Sequence, residues 1–374
     1  MLSLQKLLAD MSEREASDLH LTAGVAPQFR IDGGIVDSGY APLDPKVCEA
    51  LIYSVLTDEQ KKRFENSREL DFSFGISGLA RFRVNVYMDR GVPTAAIRLI
   101  PHEILSFDAL GLPRIVGDFA EQQNGLVLIT GPTGSGKTTT LAALIDKINA
   151  ERPGHIITIE DPIEYVHAHR RAIVNQREVG ADTESFPAAL KYVLRQDPDV
   201  ILIGEMRDLE TVQAALTIAE TGHLVFATLH TNSTYESINR IVDTFPTSQQ
   251  KQVQAQLAFV LRGVVTQQLV PRKSGQGRVN VSEVMVCTAA VSAMIREGKI
   301  HQIYSSMQAG QKFGMQTMNQ ALYRAYATGK ISLNEAIARS PDANELEQLV
   351  AKGDPTYRPR FSQIPSRAER RRAA

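Results

Sequence analysis

A glycine-rich loop between an apolar run and an amphipathic helix constrains the fold of this chain more than any other feature. The segment reads LVLITGPTGSGKTTTLAALI over residues 126–145, and residues 131–138 satisfy the pattern GxxxxGK[ST]. A strand, a glycine loop and a helix in this order are typical of a P-loop, so the sequence predicts an α/β fold with a phosphate site. The helix has apolar residues at the spacing of one face: Leu141, Leu144, Ile145 and Ile148.

The residue types of this loop explain what it would bind. Glycines let backbone N–H groups turn toward a phosphate without a Cβ in the way, and the helix N-terminus adds partial positive charge. Lys137 would supply a point charge for the β- and γ-phosphate oxygens, and the Thr138 hydroxyl can ligate Mg²⁺. The predicted cofactors are therefore ATP and Mg²⁺. The candidate cofactor-binding residues are Gly131, Pro132, Thr133, Gly134, Ser135, Gly136, Lys137, Thr138 and Thr139.

Four short apolar runs alternate with stretches of helical pattern in the middle of the chain. They cover residues 126–129, 156–159, 200–203 and 224–227. Uninterrupted apolar runs are typical of parallel strands, because helices cover both faces of such a sheet. The middle of the chain is therefore predicted to hold a buried parallel sheet.

Acidic residues follow two of these runs. Residues just past the carboxyl end of a parallel strand lie in the ligand crevice of the sheet. Glu205 follows the run 200–203, and we expect it to hold Mg²⁺ through water or to orient the attacking water. Phosphoryl transfer needs a carboxylate that positions water, so at least one acid after the run 156–159 is predicted to be catalytic, and spacing alone does not decide which. These acids are Glu160, Asp161 and Glu164.

Two histidines, His223 and His230, bracket the run 224–227. Both are expected at strand ends beside the phosphate crevice, where nucleotide sensing and a structural role stay equally open. No cysteine or third histidine lies at zinc-ligand spacing. His167 and His169 form an HxH pattern in a turn-like segment, where metal binding is not expected.

Residues 1–100 have the pattern of a small α+β domain. The opening helix has charges between its apolar residues Leu4, Leu7, Leu8 and Met11, which indicates an amphipathic surface helix and not a signal peptide. A hairpin is predicted around residues 32–34, and a helix over 46–64.

Two strands are predicted at the end of this first domain. Residues 81–88 alternate, with Phe82, Val84, Val86 and Met88 on the apolar face and Arg83 on the polar face. The segment PTAAIRLIP is the expected partner strand and carries Arg98.

The length of 374 residues favours two domains over one compact core. The predicted order is an α+β domain over 1–100, a linker over 101–117, an ATPase domain over 118–350 and a tail over 351–374. The ATPase domain is expected to turn helical after about residue 289. The tail is rich in arginine and proline, which favours disorder.

The charge, the cysteine content and the apolar stretches of the chain argue against several classes of protein. The formal net charge is −1, so the whole chain shows no surface built for nucleic acid, and no nucleic-acid partner is expected. Its two cysteines, Cys48 and Cys287, form no CxxC pair, which favours a reducing compartment. No apolar stretch approaches the length of a membrane helix. We therefore expect a cytoplasmic protein that docks on a membrane without spanning it.

Four motifs in order, GPTGSGKTTT, ITIEDPIEY, PDVILIGEMRD and TGHLVFATLHT, resemble those of the GspE/PilT family of secretion ATPases. The segments NQREVG, ALKYVLRQDPD, KIHQIY and GMQTMNQALY are similar to the pilus retraction branch of that family. The likeness runs over about residues 3–350. It implies a RecA-like P-loop core, a smaller PAS-like N-terminal domain and helical C-terminal elements.

The resemblance also implies roles for individual residues. Glu164 is the better match to the family's catalytic glutamate, and Glu205 to its Walker B acid. Arg83 and Arg98 match arginines that reach a nucleotide in a ring of subunits. The implied catalytic residues are Glu164, Glu205, Lys137, Glu160, Arg83, Arg98 and His230, and His223 is an implied nucleotide contact.

The activity implied by the resemblance is that of a Mg²⁺-dependent homohexameric ATPase. It would power type IV pilus retraction (pilin depolymerisation and twitching motility) from the cytoplasmic face of the bacterial inner membrane, on a platform protein. One departure stands in residues 290–297, AVSAMIRE, where the branch has AIRNLIRE; Ser292 and Ala293 replace Arg and Asn. An accessory subunit that needs a paralogous retraction ATPase is the first alternative, and a RecA-like nucleic-acid motor is the second.

Overall fold

The computed structural model describes residues 2–31, 34–76, 78–100, 104–354 and 356–357. The chain divides into two compact units. The first unit comprises Met1–Ile104 together with Asp161–Val166, and the second comprises Leu105–Glu160 and His167–Ala374. The segment Asp161–Val166 thus groups with the first unit, although it follows a strand of the second.

The first unit is built on an antiparallel six-stranded sheet in the order β3-β2-β1-β6-β5-β4. Three helices accompany the sheet, and one of them opens the chain. Its elements are α1 (Leu4–Glu13), β1 (Asp18–Leu21), β2 (Gln28–Ile31), β3 (Gly34–Asp37), α2 (Pro45–Tyr53), α3 (Asp58–Ser67), β4 (Glu69–Ile76), β5 (Ala80–Asp89) and β6 (Val92–Ile100).

Two sequence predictions for the first unit are confirmed. The apolar face of α1 is buried in the core of this unit, and the Ser3 hydroxyl caps the helix by accepting from the Lys6 N–H. Phe82, Val84 and Val86 on β5 are buried, and β6 is the antiparallel partner of β5. Met88 departs from the predicted alternation: it is 37% exposed, because it lies among the last three residues of β5, which are all exposed.

The helical pattern of residues 46–64 does not form one helix. The structure has α2 and α3 instead, because Thr57 begins a new helix. Its hydroxyl accepts from the Gln60 N–H while the Gln60 side chain accepts from the Thr57 N–H, which is a capping box. The predicted hairpin joins β2 and β3, which pair antiparallel; Asp32 and Gly33 of its turn lie outside the described residues.

The second unit is built on a seven-stranded sheet in the order β13-β12-β7-β11-β10-β8-β9. All neighbours are parallel except β12 and β13. The four apolar runs are confirmed as parallel strands, whereas three further strands were not predicted. The strands are β7 (Gly125–Thr130), β8 (Gly154–Glu160), β9 (Ala172–Glu178), β10 (Val200–Ile203), β11 (Leu224–Leu229), β12 (Leu261–Pro271) and β13 (Arg278–Val286).

Helices cover both faces of this sheet, which is why β7, β10 and β11 are buried along their whole length. On β7, Val127 and Ile129 pack in a core with Leu144 of the helix after the glycine loop, whereas Leu126 and Leu128 belong to the core of the opposite face. The helices are α4 (Phe107–Leu110), α5 (Arg114–Asp118), α6 (Lys137–Glu151), α7 (Phe186–Val193), α8 (Leu209–Glu220), α9 (Thr234–Asp243), α10 (Thr247–Val260), α11 (Ala289–Arg296), α12 (Ile303–Ala309), α13 (Met318–Ala327), α14 (Leu333–Arg339) and α15 (Ala343–Gly353).

The predicted α/β class is confirmed, with an antiparallel-sheet unit at the N-terminus and helices at the C-terminus. The described part of the predicted linker is not irregular throughout, because it contains α4 and all but the last residue of α5. Residues 358–374 of the predicted tail lie outside the described residues. Among the described helices, none has the length and apolar character needed to cross a bilayer.

Candidate active site

The carboxyl ends of four parallel strands meet at one edge of the seven-stranded sheet. The order β7-β11-β10-β8 brings the segments that follow these strands side by side. Two backbone hydrogen bonds fix the segment after β10 to the neighbouring strands: the Gly204 N–H donates to the Ile159 carbonyl of β8 at 2.8 Å, and the Met206 N–H donates to the Thr228 carbonyl of β11 at 3.1 Å. The glycine loop, Glu160, Glu205 and His230 therefore lie along one edge, as the sequence predicts.

The glycine loop has the conformation of a cradle that a side chain would fill. Gly131 has φ +136°, and a Cβ there would lie 2.4 Å from the Gln267 carbonyl oxygen and 2.7 Å from the Ser135 hydroxyl. Gly136 has φ +91° and stands at the N-cap of α6 without a side-chain cap. A helix N-terminus without a side-chain cap is a favourable position for an anion.

Two polar side chains of the loop have an arrangement that fits a phosphate. The Ser135 hydroxyl is buried and has no hydrogen-bond partner among the described residues. Lys137 donates from Nζ to the Gly131 carbonyl at 2.9 Å and to the Pro132 carbonyl at 3.1 Å, so its ammonium lies over the loop. An orphaned buried hydroxyl and a lysine folded over a glycine cradle fit a polyphosphate.

Glu205 is held by the side chains of Arg207 and His230. Its Oε2 lies 2.7 Å from Nη2 of Arg207, and its Oε1 lies 3.2 Å from Nε2 of His230. Burial alone would raise the pKa of Glu205, but the Arg207 hydrogen bond and the charges of His230 and Arg207 outweigh it and lower the pKa. Glu205 is therefore ionised at neutral pH, as a metal-associated acid must be. Sequence reasoning missed Arg207, although it stands only two residues away.

His223 does not share the phosphate edge within one chain, so the expected placement of both histidines is wrong for this one. It precedes β11, and its carbonyl accepts from the N–H of Gly125 at the start of β7 at 3.0 Å. Its Nδ1 lies 3.2 Å from the Ile218 carbonyl oxygen. The two ends of a strand lie at opposite edges of a sheet, so only His230 reaches the carboxyl edge.

The structure separates the acids that follow β8. Glu160 is 8% exposed, and its Oε1 accepts from the Thr158 hydroxyl at 2.6 Å and from the Gln176 amide at 3.2 Å. Glu164 belongs to the first unit, where its Oε1 lies 3.9 Å from Nη1 of Arg83 and both side chains are more than a third exposed. The Glu160 carboxylate is thus fixed in the sheet, whereas Glu164 makes only a long ion pair with Arg83.

Two arginines of β5 hold the segment that carries Glu164. Arg83 makes the ion pair just described, and Nε of Arg81 donates to the Ile163 carbonyl at 3.2 Å. Arg98 stands directly opposite Arg83 on β6, and its Nε donates to Oδ1 of Asp18 at 2.8 Å. Sequence reasoning missed Arg81 and Asp18, because nothing in the local pattern marks a partner 80 residues away.

A protein-only metal cage is not part of this site. Among the described residues, no group of three or more His, Cys, Asp or Glu side chains could hold a metal ion. Mg²⁺ usually keeps several waters and binds through one or two protein oxygens and substrate phosphates. The Thr138 hydroxyl and the ionised Glu205 fit that pattern.

Known proteins share the sequence and the fold of this chain. The family model described as type II/IV secretion system protein matches residues 1–338. The type IV pilus retraction ATPase PilT of Pseudomonas aeruginosa is 47% identical over 90% of this chain and 97% of its own length. The type IV pilus ATPase PilU of the same organism is 41% identical over 94% of this chain and 92% of its own. A crystal structure of the pilus retraction motor PilT with bound ADP is 50% identical, with a TM-score of 0.88 over 93% of this chain and 100% of that one.

Proposed function

This chain belongs to the family of type II/IV secretion system proteins and is an ATPase of the PilT type, and on that premise we propose that it drives type IV pilus retraction. It acts as a Mg²⁺-dependent homohexamer at the cytoplasmic face of the bacterial inner membrane, on a platform protein of the pilus. The observation that carries the enzymatic part is the glycine cradle, which lies at the same sheet edge as ionised Glu205.

The second unit binds the nucleotide. The loop amides and the N-terminus of α6 hold the phosphates, and Lys137 neutralises the β- and γ-oxygens. Thr138 and Glu205 would hold Mg²⁺, which when bound would neutralise charge on the phosphate oxygens. His230 orients Glu205, since its Nε2 lies 3.2 Å from the carboxylate.

Glu164 activates the attacking water. It is exposed and only loosely paired, whereas the Glu160 carboxylate is buried and hydrogen-bonded to its own strand neighbour Thr158. Arg83 and Arg98 stabilise the transferred phosphoryl group on another copy of the chain. This is supported by their exposure, 39% and 67% of the side chain, because an exposed arginine can reach across an interface. His223 has no role at the phosphate site of its own chain in this proposal.

Phosphate release by the purified protein, measured beside its mass in solution, tests the enzymatic part. We expect turnover in the hexamer only, and loss of turnover in Glu164→Gln. Turnover of equal rate in a monomer would contradict the shared site. Deletion of the gene tests the cellular part: we expect cells whose pili extend but do not retract, and normal twitching would refute the proposal.

A second candidate is an accessory subunit that needs an active paralogue. It is favoured by the two departures in α11, Ser292 and Ala293, where the Ser292 hydroxyl lies 3.3 Å from Sγ of Cys287. An accessory subunit would bind ATP without turnover alone and gain turnover when mixed with the paralogue. Turnover of the purified chain by itself decides for the motor.

A further inference from the structure

Charged residues form one row across the six-stranded sheet of the first unit. Asp18 on β1 stands directly opposite Arg30 on β2 and Arg98 on β6, and Arg98 stands opposite Arg83 on β5. Residues directly opposite one another in an antiparallel sheet project from the same face. This row, called here the arginine row (Arg30, Asp18, Arg98 and Arg83), therefore places three arginines and one carboxylate on the same face of the sheet.

The carboxylate of the arginine row is buried and held in place. The Asp18 side chain is 10% exposed. Its Oδ1 accepts from Nε of Arg98 at 2.8 Å, and its Oδ2 accepts from the Ser17 hydroxyl at 2.7 Å and lies 3.8 Å from Nε of Arg30. Burial alone would raise the pKa of Asp18, but the hydrogen bonds from Ser17 and Arg98 and the Arg98 charge outweigh it and lower the pKa. The group is therefore a fixed negative charge at neutral pH.

Asp18 holds the Nε edge of the Arg98 guanidinium and leaves its Nη edge open. Its side chain is 67% exposed, and within the described part of the chain its Nη groups have no hydrogen-bond partner. A guanidinium is a planar fork, so fixing Nε fixes the direction of the remaining donors. Asp18 also offsets the repulsion between Arg98 and Arg83, since like charges directly opposite each other destabilise a sheet.

We propose that Asp18 is a positioning residue for ATP hydrolysis: it fixes Arg98 at Nε, so that the Nη groups point outward and can bind a phosphate on another copy of the chain. The inference rests on the function proposed for Arg98. Without the carboxylate, Arg98 keeps its charge but must be ordered at every encounter, which weakens the interaction.

A double-mutant cycle tests this positioning role. The variants are Asp18→Asn, Arg98→Ala and the two together. Asp71→Asn is the matched control, because Asp71 is exposed on β4 of the same sheet and accepts from an asparagine, Asn85, and not from an arginine. For each variant, kcat, KM, ATP affinity, assembly mass and Tm are measured.

Asp18→Asn is expected to lower kcat about tenfold, the value of one charged hydrogen bond, with ATP affinity and assembly mass unchanged. Asp71→Asn should leave kcat as in the wild type. In the Arg98→Ala background, Asp18→Asn should lower kcat no further, because its effect passes through Arg98.

Two results overturn the inference. One is an Asp18→Asn variant with the kcat of the wild type while Arg98→Ala is impaired; the other is a further tenfold loss in the Arg98→Ala background. If Arg98→Ala itself keeps full kcat, the role proposed for Arg98 fails instead. Should Asp18→Asn unfold at the assay temperature, Asp18→Glu replaces it: the retained carboxylate should preserve most of kcat if the variant folds, and a tenfold loss in folded protein counts against the inference.

Discussion

The phosphate edge of the second unit and the arginine row of the first are built in different ways. The phosphate edge consists largely of backbone: a glycine cradle, a helix N-terminus and strand ends joined by hydrogen bonds of 2.8 and 3.1 Å. The arginine row consists mainly of long side chains that few contacts hold in place. Asp18 holds Arg98 by a hydrogen bond, and the Arg83 guanidinium lies 3.9 Å from the Glu164 carboxylate.

Because of this difference, the two regions can perform different steps without a second copy of the chain. A backbone cradle is preformed, so one chain can bind nucleotide without a partner. Exposed arginines keep their rotamer freedom until something orders them, and ordering them has an entropic cost. We therefore expect nucleotide binding to be a property of one chain and hydrolysis to be a property of the assembly.

The largest expected effect comes from Lys137→Ala, which removes the charge that lies over the cradle. We expect ATP affinity and turnover to fall by at least about a hundredfold, since charged donors at phosphate oxygens are among the strongest contacts of such sites. Binding of a fluorescent ADP analogue and phosphate release measure both. Turnover retained in this variant would show that the glycine cradle is not the nucleotide site.

Glu164→Gln should lower kcat by about a hundredfold or more while leaving ATP affinity unchanged, because general-base catalysis is worth about that much. Glu160→Gln is the matched comparison. The Glu160 side chain is buried against Thr158, so this change should lower Tm more than kcat. The reverse pattern in the two variants would assign the catalytic role to Glu160.

Gly131→Ala tests whether the backbone shape of the cradle determines nucleotide binding. A Cβ at Gly131 would meet a carbonyl oxygen at 2.4 Å, whereas one at Gly134, which also has positive φ, meets nothing within 4 Å. We expect a loss of ATP affinity of about tenfold or more for Gly131→Ala and a distinctly smaller one for Gly134→Ala. Equal losses would mean that backbone strain, and not the clash, is what matters.

The smallest effect concerns His167, where the chain re-enters the second unit after the segment with Glu164. Burial lowers the pKa of His167 to about 4. The unfolded chain binds a proton below about pH 6.5 and the native chain does not, so stability falls as pH drops from 6.5 toward 4.

In the wild type, protonation of His167 in the unfolded chain lowers the free energy of unfolding by about 1.6 kcal/mol between pH 6.5 and pH 5, and His167→Gln should abolish that loss. Urea unfolding of both proteins at the two pH values measures it. An unchanged pH dependence in the variant would show that His167 is not the source of this loss.

Most features that a short stretch of sequence determines were predicted, whereas features that depend on residues far apart in the chain were not. The cradle and Glu205 follow directly from short patterns, because the loop and the strand ends are fixed by neighbouring residues. The helix break at Thr57 was missed, although the capping box is itself local.

The partners in the first unit could not be predicted, since Asp18 and Arg98 meet only through the register of β1 and β6. His223 was misplaced because a strand pattern does not say which of its ends faces the site. The separation of Glu164 from Glu160 depends on how the segment Asp161–Val166 packs, which spacing alone does not encode.

Mixing two impaired variants tests whether one copy binds the nucleotide and another supplies the arginine. Arg98→Ala keeps its cradle and lacks the arginine, and Lys137→Ala lacks the cradle charge and keeps the arginine. In a randomly mixed ring, half the subunits can bind and half their neighbours carry the arginine, so turnover should recover to about a quarter of wild type. A mixture that co-assembles, as shown by its mass, and still has no turnover would contradict the account.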